Sequence, residues 1–479
     1  MTKGDGEPRH LGGVRRIRAV ALPISGSLAV LVTGMAYFFW WGSVVGYPGV
    51  WMPPGDIWAT IRTSDYVTWG YLGGIYSAGT GLVTFPGILL VLAPAAALSN
   101  ALGLQVDFPF TVPHATAWLV IGPYVLLVGC LPLFALDALG ARMGLSKGRR
   151  GLLMVGEVAV IWQVLVLWGH PEDTIAIGVA CYAIMAAFDG RWVAAGWLFG
   201  IAFSFQPLVL LIYPVGLIAL LRYRHLTLRE WAGMLARSAA VPAALLAVPL
   251  IANWRASTQA ILDQPNYPTV DHPTPWLSFA PHLLRAGTRA VSGSRTGGHL
   301  RSATYSAAHR LLRGSSLTQG ATKPRAATPG AGAAGGSGVD AVAAGPPRAI
   351  AVITAQVMVW RLRRWGGDLG ALTWLCSACL ALRCFFEPVM VPFYVWPAIS
   401  VALVSAARRG VGNLVLCLAA GLAATLWSYV QTSSWSYWLV LVLLLAGVLA
   451  SAGVDRSALP RLWRERVLRS LSTSSRRPA

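Results

Sequence analysis

An all-α polytopic membrane protein with about twelve transmembrane helices is what this sequence predicts, and three observations carry that expectation. Hydrophobic residues fill 56% of the 479 positions and charged residues only 12%, about half the charged fraction of a soluble domain. Apolar runs close to the roughly 20 residues that cross a bilayer recur along most of the chain. Lys and Arg collect between those runs at alternate ends, as they do in cytoplasmic loops.

The first nineteen residues form a basic N-terminal stretch. Arg15, Arg16 and Arg18 precede an apolar run from Val20 to Trp41. That run is longer than the apolar part of a secretory signal and lacks a small-residue cleavage site. It reads as a first spanning helix that starts in the cytoplasm. The stretch 42–114 then reads as a large external loop. Within it the Leu82–Leu98 run contains Pro86 and Pro94. Counting that run as a span would put the Lys147–Arg150 cluster outside, so it reads as a helix lying in the outer interface.

Further spans are expected at 115–137, 151–169, 173–188, 192–205, 207–222 and 232–252. The two short runs on either side of Gln206-Pro207 read as a broken hairpin, since backbone breaks at membrane depth are tolerated inside protein or a cavity. A second external loop follows from 253 to 340. Its first part, through Trp276, mixes turn residues with aromatics and is expected to be ordered. Residues 286–340 are Gly-, Ala- and Arg-rich and cannot bury a core, which predicts a disordered insertion. The last spans are expected at 341–360, 368–386, 389–407, 411–430 and 436–453, followed by a basic tail over 454–479 on the anionic inner leaflet. The domain order is thus a basic N-terminus (1–19), a membrane domain (20–285), the insertion (286–340), C-terminal helices (341–453) and the tail. Both termini are expected in the cytoplasm, and the protein in the cell membrane. No internal repeat of the transporter kind is present.

The net charge of +20 would suggest nucleic acid in a soluble protein. Here the basic residues flank spans, so membrane lipids and not nucleic acid are the expected partners. The 21 Trp residues suit a protein anchored at two interfaces. The six cysteines (130, 181, 376, 379, 384 and 417) all sit in apolar runs. Cys376-x-x-Cys379 has no second pair or histidine nearby, so all six read as buried small residues.

Three groups that could carry chemistry fall on the outer side. Asp56, in Pro53-Pro54-Gly55-Asp56, is a carboxylate near the bilayer surface that could act as a general base; Asp after Pro-Gly also opens helices well. Asp65, nine residues on, is a weaker candidate. His170-Pro171-Glu172-Asp173 fills a tight turn and could bind a divalent metal, or a phosphorylated substrate through one. Pro first and acids in the first turn are also a helix start. Arg383 and Glu387 are four apart on one helix face. An intramembrane Arg is a functional candidate that could hold a lipid phosphate, or the pair could simply neutralise each other. Glu157 and Asp137 fit packing as well as function. No Gly-rich phosphate loop, His/Cys metal spacing or nucleophile elbow is present.

The order of these features resembles the GT-C superfamily of membrane glycosyltransferases, and most closely the polyprenol-phosphate-mannose-dependent α-mannosyltransferases of actinobacteria. Three stretches carry the resemblance: Gly55-Asp56 through Gly74-Ile75-Tyr76 to Thr84-Phe85-Pro86; Trp168-Gly169-His170; and Gly196 through Gly200 to Phe205-Gln206-Pro207. This chain has His170 where the family usually has Gln, and Gln206 where the family commonly has Lys. The family's late aromatic-His motif is matched only loosely, by Glu387 through Pro397. The resemblance covers about residues 20–280 and 370–400.

It implies a GT-C-like helical bundle with a large first external loop bearing interfacial helices. It also implies transfer of a mannose-like sugar from a polyprenyl-phosphate donor to a cell-envelope lipid or glycan on the outer face. Asp56 would be the catalytic base. Arg383, Glu387, His170, Gln206, Tyr76 and Asp65 would bind substrate, and Glu172 and Asp173 would hold a metal if one is used; no cofactor is required. A multi-pass transporter or lipid flippase, and a non-catalytic membrane scaffold, are the competing expectations.

Overall fold

The computed structural model describes residues 10–44, 57–76, 82, 84–104, 117–221, 223, 226–263, 272–279, 345–430 and 432–453. Asp56, the 286–340 insertion and the tail after 453 lie outside the described residues, as do the expectations made for them. Nearly everything described is helical. Among the described residues, seven helices are long and apolar enough to cross a membrane: Val20–Val44, Trp118–Arg142, Lys147–Trp168, Pro171–Phe188, Leu228–Ala252, Leu369–Phe386 and Ser434–Ala452. Three shorter apolar helices accompany them, at Gly87–Ala101, Trp192–Phe205 and Val411–Trp427. This is an all-α protein of membrane-spanning character, and most of the expected runs coincide with helices.

Two helices rich in small residues form the centre. We label the helices in chain order: α1 (His10–Val44), α2 (Ile57–Thr68), α3 (Gly87–Ala101), α4 (Trp118–Gly129), α5 (Leu131–Arg142), α6 (Lys147–Trp162), α7 (Pro171–Phe188), α8 (Trp192–Phe205), α9 (Tyr213–Leu220), α10 (Leu228–Ala252), α11 (Trp254–Asp263), α12 (Gly345–Arg361), α13 (Leu369–Phe386), α14 (Trp396–Arg409), α15 (Val411–Trp427) and α16 (Ser434–Ala452). Along α7 every residue from Pro171 to Ala187 except Tyr182 is buried, and α14 is buried from Trp396 to Ala407. Ala, Gly and Ser let neighbouring backbones approach closely, which is how helices pack without a hydrophobic drive between them. At Gly178 an added Cβ would stand 3.0 Å from the Pro132 nitrogen of α5. The peripheral helices α1, α10, α15 and α16 instead expose apolar side chains such as Val32, Ile251, Leu416 and Leu443, as a bilayer allows.

Details differ from the sequence expectation where turn chemistry intervenes. The 115–137 run becomes two helices, α4 and α5, that meet at Cys130 with Pro132 in the first turn of the second. The 151–169 run starts earlier, at Lys147, because Ser146 caps it, and ends in a π-helical turn over Gln163–Trp168. The 207–222 run, expected as one short span, is itself divided: a 3₁₀ turn over Pro207–Leu211 leads into α9. The Leu82–Leu98 run forms α3, whose fifteen residues span only about 20 Å at 1.5 Å per residue, too short to cross a bilayer.

The two ends of the bundle are chemically distinct. One carries the ion pairs Arg142–Asp189, Arg150–Asp137 and Arg408–Asp368. The other gathers the start of α7, the end of α8, the start of α12 and the end of α13. A two-stranded pairing, β1 (His272–Pro273) with β2 (Val389–Met390), ties the segment after α11 to this second end.

Candidate functional site

The approach to α7 is set by Gly169, whose φ of 70° is left-handed and therefore cheap only for glycine. The turn delivers His170, then Pro171 at the first helical position, then Glu172 and Asp173. The His170 Nδ1–H donates to Glu172 Oε1 at 2.7 Å, and the imidazole stacks on Phe393 with ring centroids 4.1 Å apart. Asp173 is 2% exposed. It lies beside the Gln206 amide and the Arg383 guanidinium, yet neither carboxylate oxygen accepts a hydrogen bond from a described residue. Ligand atoms of His170, Glu172 and Asp173 all fall within 4.8 Å of one another. One imidazole nitrogen and two carboxylates form a donor set that fits a divalent ion.

Gln206 is turned out of α8 by its neighbour. Proline at 207 disfavours the helical conformation for the residue before it, and Gln206 is extended, with φ −150° and ψ 128°. Its side chain lines a cavity of about 500 Å³, well within the range of small-molecule sites. The apolar wall comes from Leu208, Leu210, Leu211, Ile261, Val352 and Ile353, with Phe85 and Phe386 as its aromatic members. The polar groups are Gln206, Arg348, Arg383 and Glu387.

These charges are closely engaged. Arg348 Nε and Nη2 donate to Glu387 Oε1 at 2.9 and 2.7 Å. Arg383 Nε stands 3.7 Å from Glu387 Oε2, and its Cζ lies 3.5 Å from the centroid of the Tyr394 ring, a cation–π distance. Arg383 Nη1 has no hydrogen-bond partner among the described residues. Glu387 caps the end of α13 and is 1% exposed. Its main-chain carbonyl accepts from Thr274 Oγ1 at 2.6 Å, which ties the segment after β1 to the Glu387 backbone.

The residues that the sequence nominates therefore divide. Arg383, Glu387 and Gln206 line one cavity, and Asp173 reaches it through Arg383, with His170 and Glu172 adjoining. Tyr76 is buried and its hydroxyl donates to the Thr84 carbonyl at 2.9 Å, which fixes the turn that presents Phe85 to the cavity. Burial raises the Tyr76 hydroxyl above its ordinary pKa, so it acts as a neutral donor. Asp65 stands apart: its Oδ1 accepts from Asn100 Nδ2 at 2.6 Å, and Asn100 is at the end of α3 remote from Phe85. Its bonds hold α2 against α3. Of the two charges that fit packing as well as function, Asp137 pairs with Arg150 and Glu157 accepts from Ser400. All six cysteines are buried and free.

Arg348 is the cavity residue that sequence patterns do not single out. Its signal is present: a lone Arg after Pro346-Pro347, opening an apolar run. Only the fold brings it to Glu387. No protein-family model and no curated protein matches this chain.

Proposed function

We propose that this chain is a membrane glycosyltransferase that takes a mannose-like sugar from a polyprenyl-phosphate donor and passes it to a cell-envelope lipid or glycan. The observation that carries the reading is the make-up of the cavity: an apolar wall shared by α11, α12 and the Pro207–Leu211 turn, ending at a buried guanidinium whose Nη1 has no hydrogen-bond partner among the described residues. Such a site suits a ligand with one hydrocarbon end and one anionic end. Leu210 and Ile353, which line the cavity, are 45% and 61% exposed, so its apolar side continues onto the surface that lipid would cover.

In this reading the donor's phosphate sits at Arg383, near Gln206. Asp56 takes the proton from the acceptor hydroxyl, whose oxygen bonds to the anomeric carbon as the carbon–oxygen bond to phosphate breaks. The polyprenyl phosphate leaves with the bonding pair, its charge met by Arg383. His170, Glu172 and Asp173 would hold a divalent ion, which would add positive charge beside the departing phosphate. The separation of the ion-paired basic end from the cavity end supports an outer-face site with both termini in the cytoplasm.

The test is transfer from a radiolabelled polyprenyl-phosphate sugar in membranes containing the full chain. Wild type is expected to label an acceptor, and Asp56→Asn to abolish labelling with expression intact. Full activity in Asp56→Asn would remove that residue as the base. Transbilayer movement of the labelled lipid without any transfer would make the chain a flippase.

A further inference from the structure

We propose that Glu387 makes this cavity selective for a lipid phosphodiester over a lipid phosphate monoester, so that a sugar-bearing carrier is held and a spent carrier is let go. The binding preference stands on the geometry alone; its use in turnover rests on the glycosyltransferase reading.

Among the described residues, the donors available to a headgroup are few. Arg348 directs both Nε and Nη2 to Glu387 Oε1. Arg383 keeps Nη1 without a partner among the described residues, and the Gln206 amide lines the same cavity. A guanidinium edge and an amide can serve the two unesterified oxygens of a phosphodiester, which carries one negative charge. A monoester has three such oxygens and a charge near −2 at neutral pH. Its third oxygen would face the Glu387 carboxylate, which lines the cavity and is 1% exposed.

The local charges lead to the same preference. Glu387 pairs with Arg348 and approaches Arg383 at 3.7 Å, and the Asp173 carboxylate is near enough to Arg383 to interact with its charge. Among the described residues, and before any divalent ion binds, the carboxylates of Glu387, Asp173 and Glu172 thus stand against the guanidiniums of Arg348 and Arg383. A second negative charge on the ligand would meet like charge in a buried site, where such juxtaposition is strongly unfavourable. Inorganic phosphate is disfavoured on the same ground and has no tail for the apolar wall. The carrier left after sugar transfer is a monoester, so the reaction itself would turn a favoured ligand into a disfavoured one.

The experiment measures binding of dodecyl ethyl phosphate, dodecyl phosphate and inorganic phosphate to the purified full chain in nanodiscs at pH 7.5. The diester is expected to bind about tenfold more tightly than the monoester, and inorganic phosphate should not displace it. Glu387→Gln keeps an acceptor for Arg348 and is expected to erase the preference. Equal or tighter binding of the monoester by wild type overturns the proposal, as does displacement of the diester by inorganic phosphate or a preference unchanged in Glu387→Gln. The wild-type ratio decides the matter if the variant does not fold. Sugar transfer is assayed separately. Selectivity without transfer leaves this proposal standing and removes the glycosyltransferase reading; transfer without selectivity does the reverse.

Discussion

Arg348 and Glu387, thirty-nine residues apart in sequence, are joined by two hydrogen bonds onto a single carboxylate oxygen at the polar side of the cavity. The pair fixes the start of α12 to the end of α13 and so forms one wall of the site. Arg348→Ala leaves a buried carboxylate with a lost partner, and is expected to cost about 3–5 kcal/mol of stability. Removing both charges, in Arg348→Ala/Glu387→Ala, should recover much of that loss. A double-mutant cycle by thermal unfolding in detergent checks it, and additive losses would mean the pair is not coupled.

Arg383 is expected to resist conservative replacement. Its Cζ lies 3.5 Å from the centroid of the Tyr394 ring, and the residue lines the cavity, an arrangement that a lysine ammonium does not reproduce. Arg383→Lys should therefore lower sugar transfer by about two orders of magnitude, with thermal stability much less affected. Near-normal kcat/KM in the Lys variant would show that charge alone suffices there.

Asp65 should behave as a structural residue. Its carboxylate joins α2 to Asn100 of α3, away from the cavity. Asp65→Ala is expected to lower stability by about 1–2 kcal/mol, with transfer per folded molecule retained. Asp56→Asn should show the opposite pattern. If Asp65→Ala abolishes transfer in folded protein, Asp65 belongs to the site.

His272 gives the β1–β2 clamp a pH dependence. It is 3% exposed, stacks on Tyr437 at 4.4 Å and has its pKa pushed down from 6.5 to about 4 by burial. The unfolded chain therefore binds a proton that the folded chain refuses between these values. Stability is expected to be full above about pH 6.5 and to fall as pH drops towards 4, by up to about 3 kcal/mol. His272→Phe should flatten this slope in thermal unfolding between pH 4 and 7; an unchanged slope would assign the effect to other groups.

How much of this is legible in the sequence depends on the range of the cause. Most spans can be read because each follows from a local run of apolar residues, and two helix starts from the prolines at 171 and 207; at α6 the Ser146 cap extends the helix beyond its apolar run. Arg383 and Glu387 are legible as a pair because helical spacing is local. Their balance is not, since Glu387 lies past the end of α13 and its shorter contacts are to Arg348.

What the sequence determined by itself is therefore the membrane-helical class and the positions of most helices. Periodicity, capping and charge bias act over a few residues to a few turns and do not need the fold. Only the tertiary structure decided which candidates share a cavity. It joined Arg348, Arg383, Gln206 and Glu387 from separate stretches of the chain, brought Asp173 beside Arg383, and gave Asp65 to the α2–α3 contact. The physical reason is that a buried charge must find its partner in space, and that partner is chosen by how helices pack, not by distance along the chain.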